Sequence, residues 1–225
     1  MKTALIIKAA QAIHRTIIIN ESTLEALDRD IGDGDHYINM KRGANVIVEM
    51  APELSKLAPI EALNNIGLKL LSTIGGASGP LFASFFMGMS KMLATQAGQN
   101  QTLSECEPQN TLNIAAAFAA GVQAIVLRGK AGIGEKTMLD VLIPVSNQFI
   151  LLATQNTDTK LICSTLINVA EQGMLSTKDL IATKGRAAGL GERAIGHIDP
   201  GAKSCQLMIE AVCRVVLQNN SNNQT

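Results

Sequence analysis

The sequence predicts an all-α domain, and three observations carry that expectation. Apolar residues recur at helical spacing along most of the chain. Proline and glycine punctuate those stretches at their ends. No segment shows the alternation of a half-buried strand. A chain of 225 residues with 47% hydrophobic residues and a mean hydropathy of +0.20 can bury a sizeable core as one domain. Aromatics are only 3%, with no Trp and one Tyr, so that core must be aliphatic. Abundant Ala and Leu favour helices.

The elements follow in order. Ile6, Ala10, Ile13 and Ile17 line one face of a first helix over 3–19. Further helices are expected over 37–51, 60–74 and 79–96, with Pro52 and Pro59 in the connectors and Pro80 in a first turn. Ile114, Phe118, Val122 and Ile125 mark a helix over 110–128, with Pro108 in the connector before it. Helices over 137–154, 160–182 and 200–218 complete a set of eight. Pro144 falls inside the sixth and predicts a kink. Pro200 opens the eighth, where Met208, Val212 and Val215 repeat the helical spacing. One domain is expected over 1–219, with a polar, frayed tail over 220–225.

Charge excludes some functions. Nineteen basic residues balance nineteen acidic ones, so no basic field points to nucleic acid or a membrane surface. Cys106, Cys163, Cys205 and Cys213 show no zinc spacing and are expected as thiols in a reducing cytoplasm. The apolar N-terminus is interrupted by Lys8, His14 and Arg15, so no signal peptide or membrane span is expected.

The connectors carry the chemistry. "RDIGDGDHYIN" (29–39), with Asp28 before it, places four carboxylates within eight residues. Such hard oxygen donors suit Mg²⁺ or Ca²⁺. They also suit a solvated acidic turn. An EF-hand does not fit, because Gly32 would take a ligand position and Asn39 would replace the closing Glu. "TIGGASGPLF" (73–82) could cradle a phosphate with main-chain N–H groups and the Ser78 hydroxyl, or simply connect two helices. "GKAGIGEKTMLD" (129–140) and "GHIDPGAKS" (196–204) are near misses to a P-loop: Glu135 and Ala202 intrude, and no strand precedes either. As helix-start phosphate contacts both stay open. Lys184, Arg186 and Arg193 offer either a phosphate clamp or an exposed basic loop. His36 and His197 adjoin the acidic and DPG stretches, as proton carriers or as ligand contacts. His14 reads as a helix-surface residue. Four glycine stretches precede helix starts, which favour anions. They suggest a phosphate site built from the rim loops of a bundle.

Four stretches in order, "DRDIGDGDHYINMKRG" (28–43), "LLSTIGGASGPLFASFF" (70–86), "RGKAGIGEKTMLDVLIPV" (128–145) and "KGRAAGLGERAIGHIDPGAKS" (184–204), resemble the ADP-binding L subunit family of the dihydroxyacetone kinase complex. The resemblance covers nearly the whole chain. It implies an antiparallel barrel of eight amphipathic helices with the nucleotide at one rim. It implies that Asp28, Asp33 and Asp35 hold two Mg²⁺ on the nucleotide, with Asp30 outside the ligand set. It carries nucleotide contacts over to His36, Tyr37, Ile38 and Asn39, to Ala77 and Ser78, to Gly129 and Met138, to Arg186, and to Asp199, Pro200 and Gly201. Arg186 would stabilise phosphate charge, and no protein nucleophile is implied. Tyr37 stands where the family usually has Gly, Glu135 where Asp is common, and Ala188-Gly189 where a Ser-Tyr pair is typical. Tyr37 would add bulk beside the metal loop.

The activity implied is phosphoryl transfer from Mg-bound ATP to dihydroxyacetone on a separate K subunit. The ATP would form from tightly bound ADP at the expense of a phosphoprotein M subunit of a phosphoenolpyruvate-dependent system. Exchangeable ATP or another small ketose or triose acceptor is the alternative. A different class is an ADP-loaded module that binds a transcription regulator. A homodimer in the cytoplasm is expected.

Overall fold

The computed structural model describes residues 2–99 and 107–222; Cys106 and the last three residues of the expected tail lie outside them. Among the described residues there is no strand. The α-helices are α1 (Thr3–Ile19), α2 (Glu21–Ile31), α3 (His36–Glu49), α4 (Ala51–Leu54), α5 (Pro59–Thr73), α6 (Ser78–Gln99), α7 (Glu107–Gly129), α8 (Leu139–Thr154), α9 (Thr159–Ser176) and α10 (Pro200–Asn222). Short 3-10 segments cover Thr177–Asp179 and Arg186–Ala194.

Eight of these helices close a ring. α1 packs on α3, α3 on α5, and then each helix on the next through α10, which returns to α1. The ring helices are the eight that the periodicity predicts. The α5–α6 and α8–α9 connections are short and turn one helix back on the other, whereas α9 reaches α10 through the long segment 177–199. Along the α1/α3 seam His14 Nε2 lies 2.6 Å from Asn45 Oδ1, and Thr3 Oγ1 donates to Leu57 O at 2.8 Å, so the two chains run in opposite directions. Lys8 Nζ meets Asn219 Oδ1 at 3.3 Å on the closing α1/α10 seam. One rim therefore collects the starts of α3, α6, α8 and α10 with the ends of α5, α7 and α9.

The interior is aliphatic, as composition requires. Ile17, Leu24, Leu54, Ile66, Leu70, Ile125, Leu139, Val141 and Val145 are all buried in one core. Phe85 meets Phe86 and Phe118 edge-on, with ring centroids 5.4 Å apart in each pair. α7 contains a stretch, Asn110–Gly129, long and apolar enough by composition to cross a membrane; here it packs between α6 and α8. Cys163, Cys205 and Cys213 are buried thiols.

Five boundaries differ from the sequence reading, the first being α4, which takes in Pro52 where a connector was expected. Residues 21–31 form a helix that was not expected, and Asp28 lies in its last turn. α9 stops at Ser176 instead of continuing to 182. There the Ser176 and Thr177 hydroxyls take the Gly173 and Met174 carbonyls, at 2.8 and 2.7 Å, and the chain tightens into a 3-10 turn. Pro108 falls within α7 and not in a connector, and α10 continues to Asn222. Asp158 caps α9 by accepting from the Lys160 and Leu161 N–H groups, both at 3.0 Å.

Candidate metal and nucleotide site

The acidic loop is built from α2 and the start of α3. Asp28 is buried, 3% exposed. Its Oδ2 accepts from the His36 main-chain N–H at 2.9 Å, which ties the end of α2 to the start of α3. The carboxylate folds over Gly32: a Cβ there would lie 1.7 Å from Asp28 Oδ1. Only glycine permits that approach. Asp33 and Asp35 follow, partly exposed, and one carboxylate oxygen from each of the three aspartates lies within 4.8 Å of the others. Burial, and next the Asp33 carboxylate beside it, push the Asp35 carboxyl above its ordinary range. Three hard oxygen donors converging with mutual repulsion fit a divalent cation.

Asp30 is absent from this group. It faces His197, with Nδ1 and Oδ2 3.4 Å apart across an exposed gap. Arg186 reaches the triad from the opposite side, its Nε 2.7 Å from Asp33 Oδ2. His36 is buried, and its Nε2 lies 2.6 Å from Ser204 Oγ. The Ser204 hydroxyl donates to Pro200 O at 2.9 Å, so its oxygen accepts from His36 Nε2–H. Burial pulls the imidazole below its ordinary pKa, with Asp28 opposing. The neutral ring thereby fastens α3 to the start of α10.

A cleft of about 370 Å³ opens beside this loop. Its walls come from all four stretches singled out in the sequence. Asp28, Asp33, Asp35 and His36 form one side, with Gly76, Ala77 and Ser78 at the start of α6. Gly129, Lys136, Thr137 and Met138 form the far side, and Lys184, Arg186 and the Asp199-Pro200-Gly201 turn close it. Gly76 has φ +65, and a Cβ there would lie 3.6 Å from both Asp35 Oδ2 and Asn39 Nδ2. That is ordinary contact, so it is the positive φ that would strain an L-residue there. The start of α6 lies at this cleft, where helix-start N–H groups suit an anion, while at the start of α10 the Ala202 and Lys203 N–H groups are taken by Asp199.

Not every expected residue lines it. Tyr37 is 2% exposed and packs in the barrel core, so the extra bulk stands behind the loop and not beside the metal site. Ile38 is 53% exposed, outside the cleft lining. Asn39 stands behind the glycine turn, with its side chain against Gly75 and Gly76. Successive helical residues point about 100° apart, so His36 cannot face the cleft together with Tyr37 and Ile38.

Other residues join the site, Lys136 and Asp140 among them without having been singled out for it. Lys136 is 1% exposed, the largest fully buried side chain among the described residues. Asp140 accepts from the Gly134 and Thr137 N–H groups at 2.5 and 2.8 Å and shapes the turn into α8. Glu135 accepts from Gly132 N at 2.5 Å and from Thr183 Oγ1 at 2.9 Å, holding the segment that carries Arg186. That segment has its own small core of Ile31, Ala182, Ala187 and Ala194. Asp199 caps α10 through Ala202 N at 2.7 Å. Burial pushes its carboxyl up to about 7, against the pull of that N–H and of Lys136. The one signal for Lys136 in the sequence was the rejected P-loop resemblance around 129–137.

Fold and site together define a class: an all-α barrel domain with a ligand cleft at one rim, acidic on one wall and rich in main-chain donors on the other. The chain belongs to the DAK2 domain family, whose match extends over residues 30–214. It is 42% identical over 187 residues to the PEP-dependent dihydroxyacetone kinase, ADP-binding subunit DhaL, of Escherichia coli (strain K12), covering 83% of this chain and 84% of that one. It is 39% identical to a DhaL subunit of Listeria innocua, covering 86% of each chain. The crystal structure of the dihydroxyacetone kinase from C. freundii in complex with AMP-PNP and Mg²⁺ shares the fold, with a TM-score of 0.69 at 23% identity. That likeness covers 94% of this chain and 34% of the other.

Proposed function

We propose that the protein is the nucleotide-binding subunit of a dihydroxyacetone kinase. It would pass a phosphoryl group from Mg-bound ATP to dihydroxyacetone held on a separate K subunit. The convergence of Asp28, Asp33 and Asp35 within 4.8 Å at the mouth of a cleft walled by helix starts carries this reading. The names of the relatives, ADP-binding subunits of PEP-dependent kinases, support it.

Phosphoryl transfer asks a protein for positioning and charge neutralisation more than for a nucleophile. Asp28, Asp33 and Asp35 would hold the magnesium, two ions on this reading, whose chemistry is to neutralise and orient the phosphate oxygens. Asp28 is fixed for that task by the His36 N–H and by Gly32. Arg186 adds a planar donor set for phosphate oxygens. Ala77 and Ser78 would present N–H groups at the start of α6, and the Asp199-Pro200-Gly201 turn would close the opposite wall. The cleft is open at the rim, so an acceptor on a second protein can approach. ADP remaining bound and being rephosphorylated by a phosphoprotein M subunit is part of this proposal, as are a cytoplasmic location and a homodimer.

Mass spectrometry of the nucleotide released on denaturing the purified protein tests the first step. ADP with Mg²⁺ is expected. A protein that carries none and fails to bind added Mg-ADP overturns the reading. Supplying K subunit and dihydroxyacetone, then comparing ATP with a phosphohistidine protein as donor, separates the two phosphate sources.

A further inference from the structure

Lys136 combines two unfavourable features. Its ammonium is removed from water, and its backbone has φ +60, in the left-handed region. Burying an unmatched ammonium is costly, and so is a left-handed lysine. Its Nζ donates to the main-chain carbonyls of Thr177 and His197, the second at 2.5 Å. Three carboxylates, Asp199, Asp179 and Asp140, act on it from neighbouring elements, while burial draws its pKa down. A residue without a donor would leave the buried Thr177 carbonyl only the longer bond from Leu180 N, at 3.3 Å, and would take the ammonium from the partly buried His197 carbonyl.

Both carbonyls belong to segments that lead into the Asp199-Pro200-Gly201 turn. Thr177 Oγ1 accepts from Asp199 N at 3.1 Å while donating to Met174 O. A Cβ on Gly201 would lie 3.7 Å from Met138 N, two residues from Lys136. Asp30 of α2 faces His197 on the same turn. The end of α9, the turn into α10 and the loop into α8 therefore meet at one ammonium.

We propose that Lys136 is a positioning residue for the nucleotide: by holding the Thr177 and His197 carbonyls it fixes the Asp199–Gly201 turn against Met138, across the cleft from the acidic loop. This rests on the Mg-nucleotide reading above, deepens it, and gives the rejected P-loop lysine a role on main-chain carbonyls and not on phosphate.

The test is Mg-ADP affinity of the full chain by calorimetry. Wild-type protein that binds no Mg-ADP overturns the nucleotide reading itself, so that failure is separate. With wild type binding, Lys136→Ala is expected to bind about 20-fold or more weakly, as for two lost charge-assisted hydrogen bonds. Added n-propylammonium, which matches the deleted atoms, should restore most of the affinity, and tetramethylammonium, which has no N–H donor, should not. A folded variant within about twofold of wild type overturns the proposal. Loss that n-propylammonium cannot rescue, or that both cations rescue equally, overturns it as well, since packing or bulk charge would then be the cause. If circular dichroism shows Lys136→Ala unfolded, Thr177→Val decides. It keeps the ammonium and removes the hydroxyl that joins Asp199 N to Met174 O; a several-fold loss with the fold intact supports the proposal and unchanged affinity overturns it.

Discussion

Between α6 and α7 the barrel is held by the absence of side chains. A Cβ on Gly88 would meet Ala120 O at 2.9 Å, and one on Gly121 would meet the Phe85 ring at 2.7 Å and its carbonyl at 2.9 Å. The rim around the cleft is held by polar capture: Asp28 on the His36 N–H, Glu135 on Thr183, Lys136 on two carbonyls. Dry, close packing makes the wall indifferent to charge. The rim depends on charge and hydrogen-bond geometry at every joint. Stability and ligand binding should therefore respond to different substitutions.

The strongest separation is expected from Asp33→Asn. It removes one of three converging carboxylates without touching the wall, so Mg-ADP affinity should fall by about 100-fold or more, while the melting temperature without ligand holds. A parallel fall in melting temperature would merge the two regions. Gly121→Val should do the reverse. Overpacking against a backbone carbonyl should cost about 2–3 kcal/mol, lowering Tm by roughly 5–10 °C for a chain of this size. The fraction that stays folded at low temperature should bind Mg-ADP normally.

Asp199 gives the rim a pH signature. Its folded pKa is raised from 3.8 to about 7, so its stabilising contribution is present below the unfolded value and lost as pH rises through the folded one. Asp199→Asn carries no such loss and can still cap α10. The wild-type Tm should therefore fall relative to the variant between about pH 4 and pH 8. A constant difference across that range would place the titration elsewhere. Thr183→Val removes one hydrogen bond to Glu135 and should cost about 1 kcal/mol, read mainly as weaker Mg-ADP binding through Arg186. The smallest effect belongs to Asp30→Asn. Its partner is exposed, so stability should stay within about 0.5 kcal/mol and affinity should be nearly unchanged. An Asp30 loss equal to that of Asp33 would refute the division of the acidic loop.

The wall was more legible in the sequence than the rim. Ring helices announce themselves by apolar spacing, and all eight were placed by it. α2 escaped because its buried face reads Leu24, Asp28, Ile31: a carboxylate occupies a position where periodicity seeks a hydrophobe. Clustered acids over 28–35 called for a cation or water, but only the family resemblance set Asp30 apart from Asp28, Asp33 and Asp35. Tyr37 was misplaced because sequence neighbours on a helix face different ways, and the register that turned His36 to the cleft turned Tyr37 to the core. Lys136 was hidden by its type. Lysine reads as solvent-facing, and nothing in a linear sequence shows that two distant carbonyls, at Thr177 and His197, converge on it.

The seam between α1 and α10 has a consequence for how the protein acquires competence. It joins residues as far apart in sequence as Lys8 and Asn219, so the ring closes through its most non-local contact. α10 is synthesised after every other described helix. It brings the Asp199-Pro200-Gly201 turn and the Ser204 that fastens His36. Until it docks, α1 keeps an uncovered apolar face and the cleft lacks a wall. Completion of the cleft and closure of the ring would then coincide, because both wait on α10.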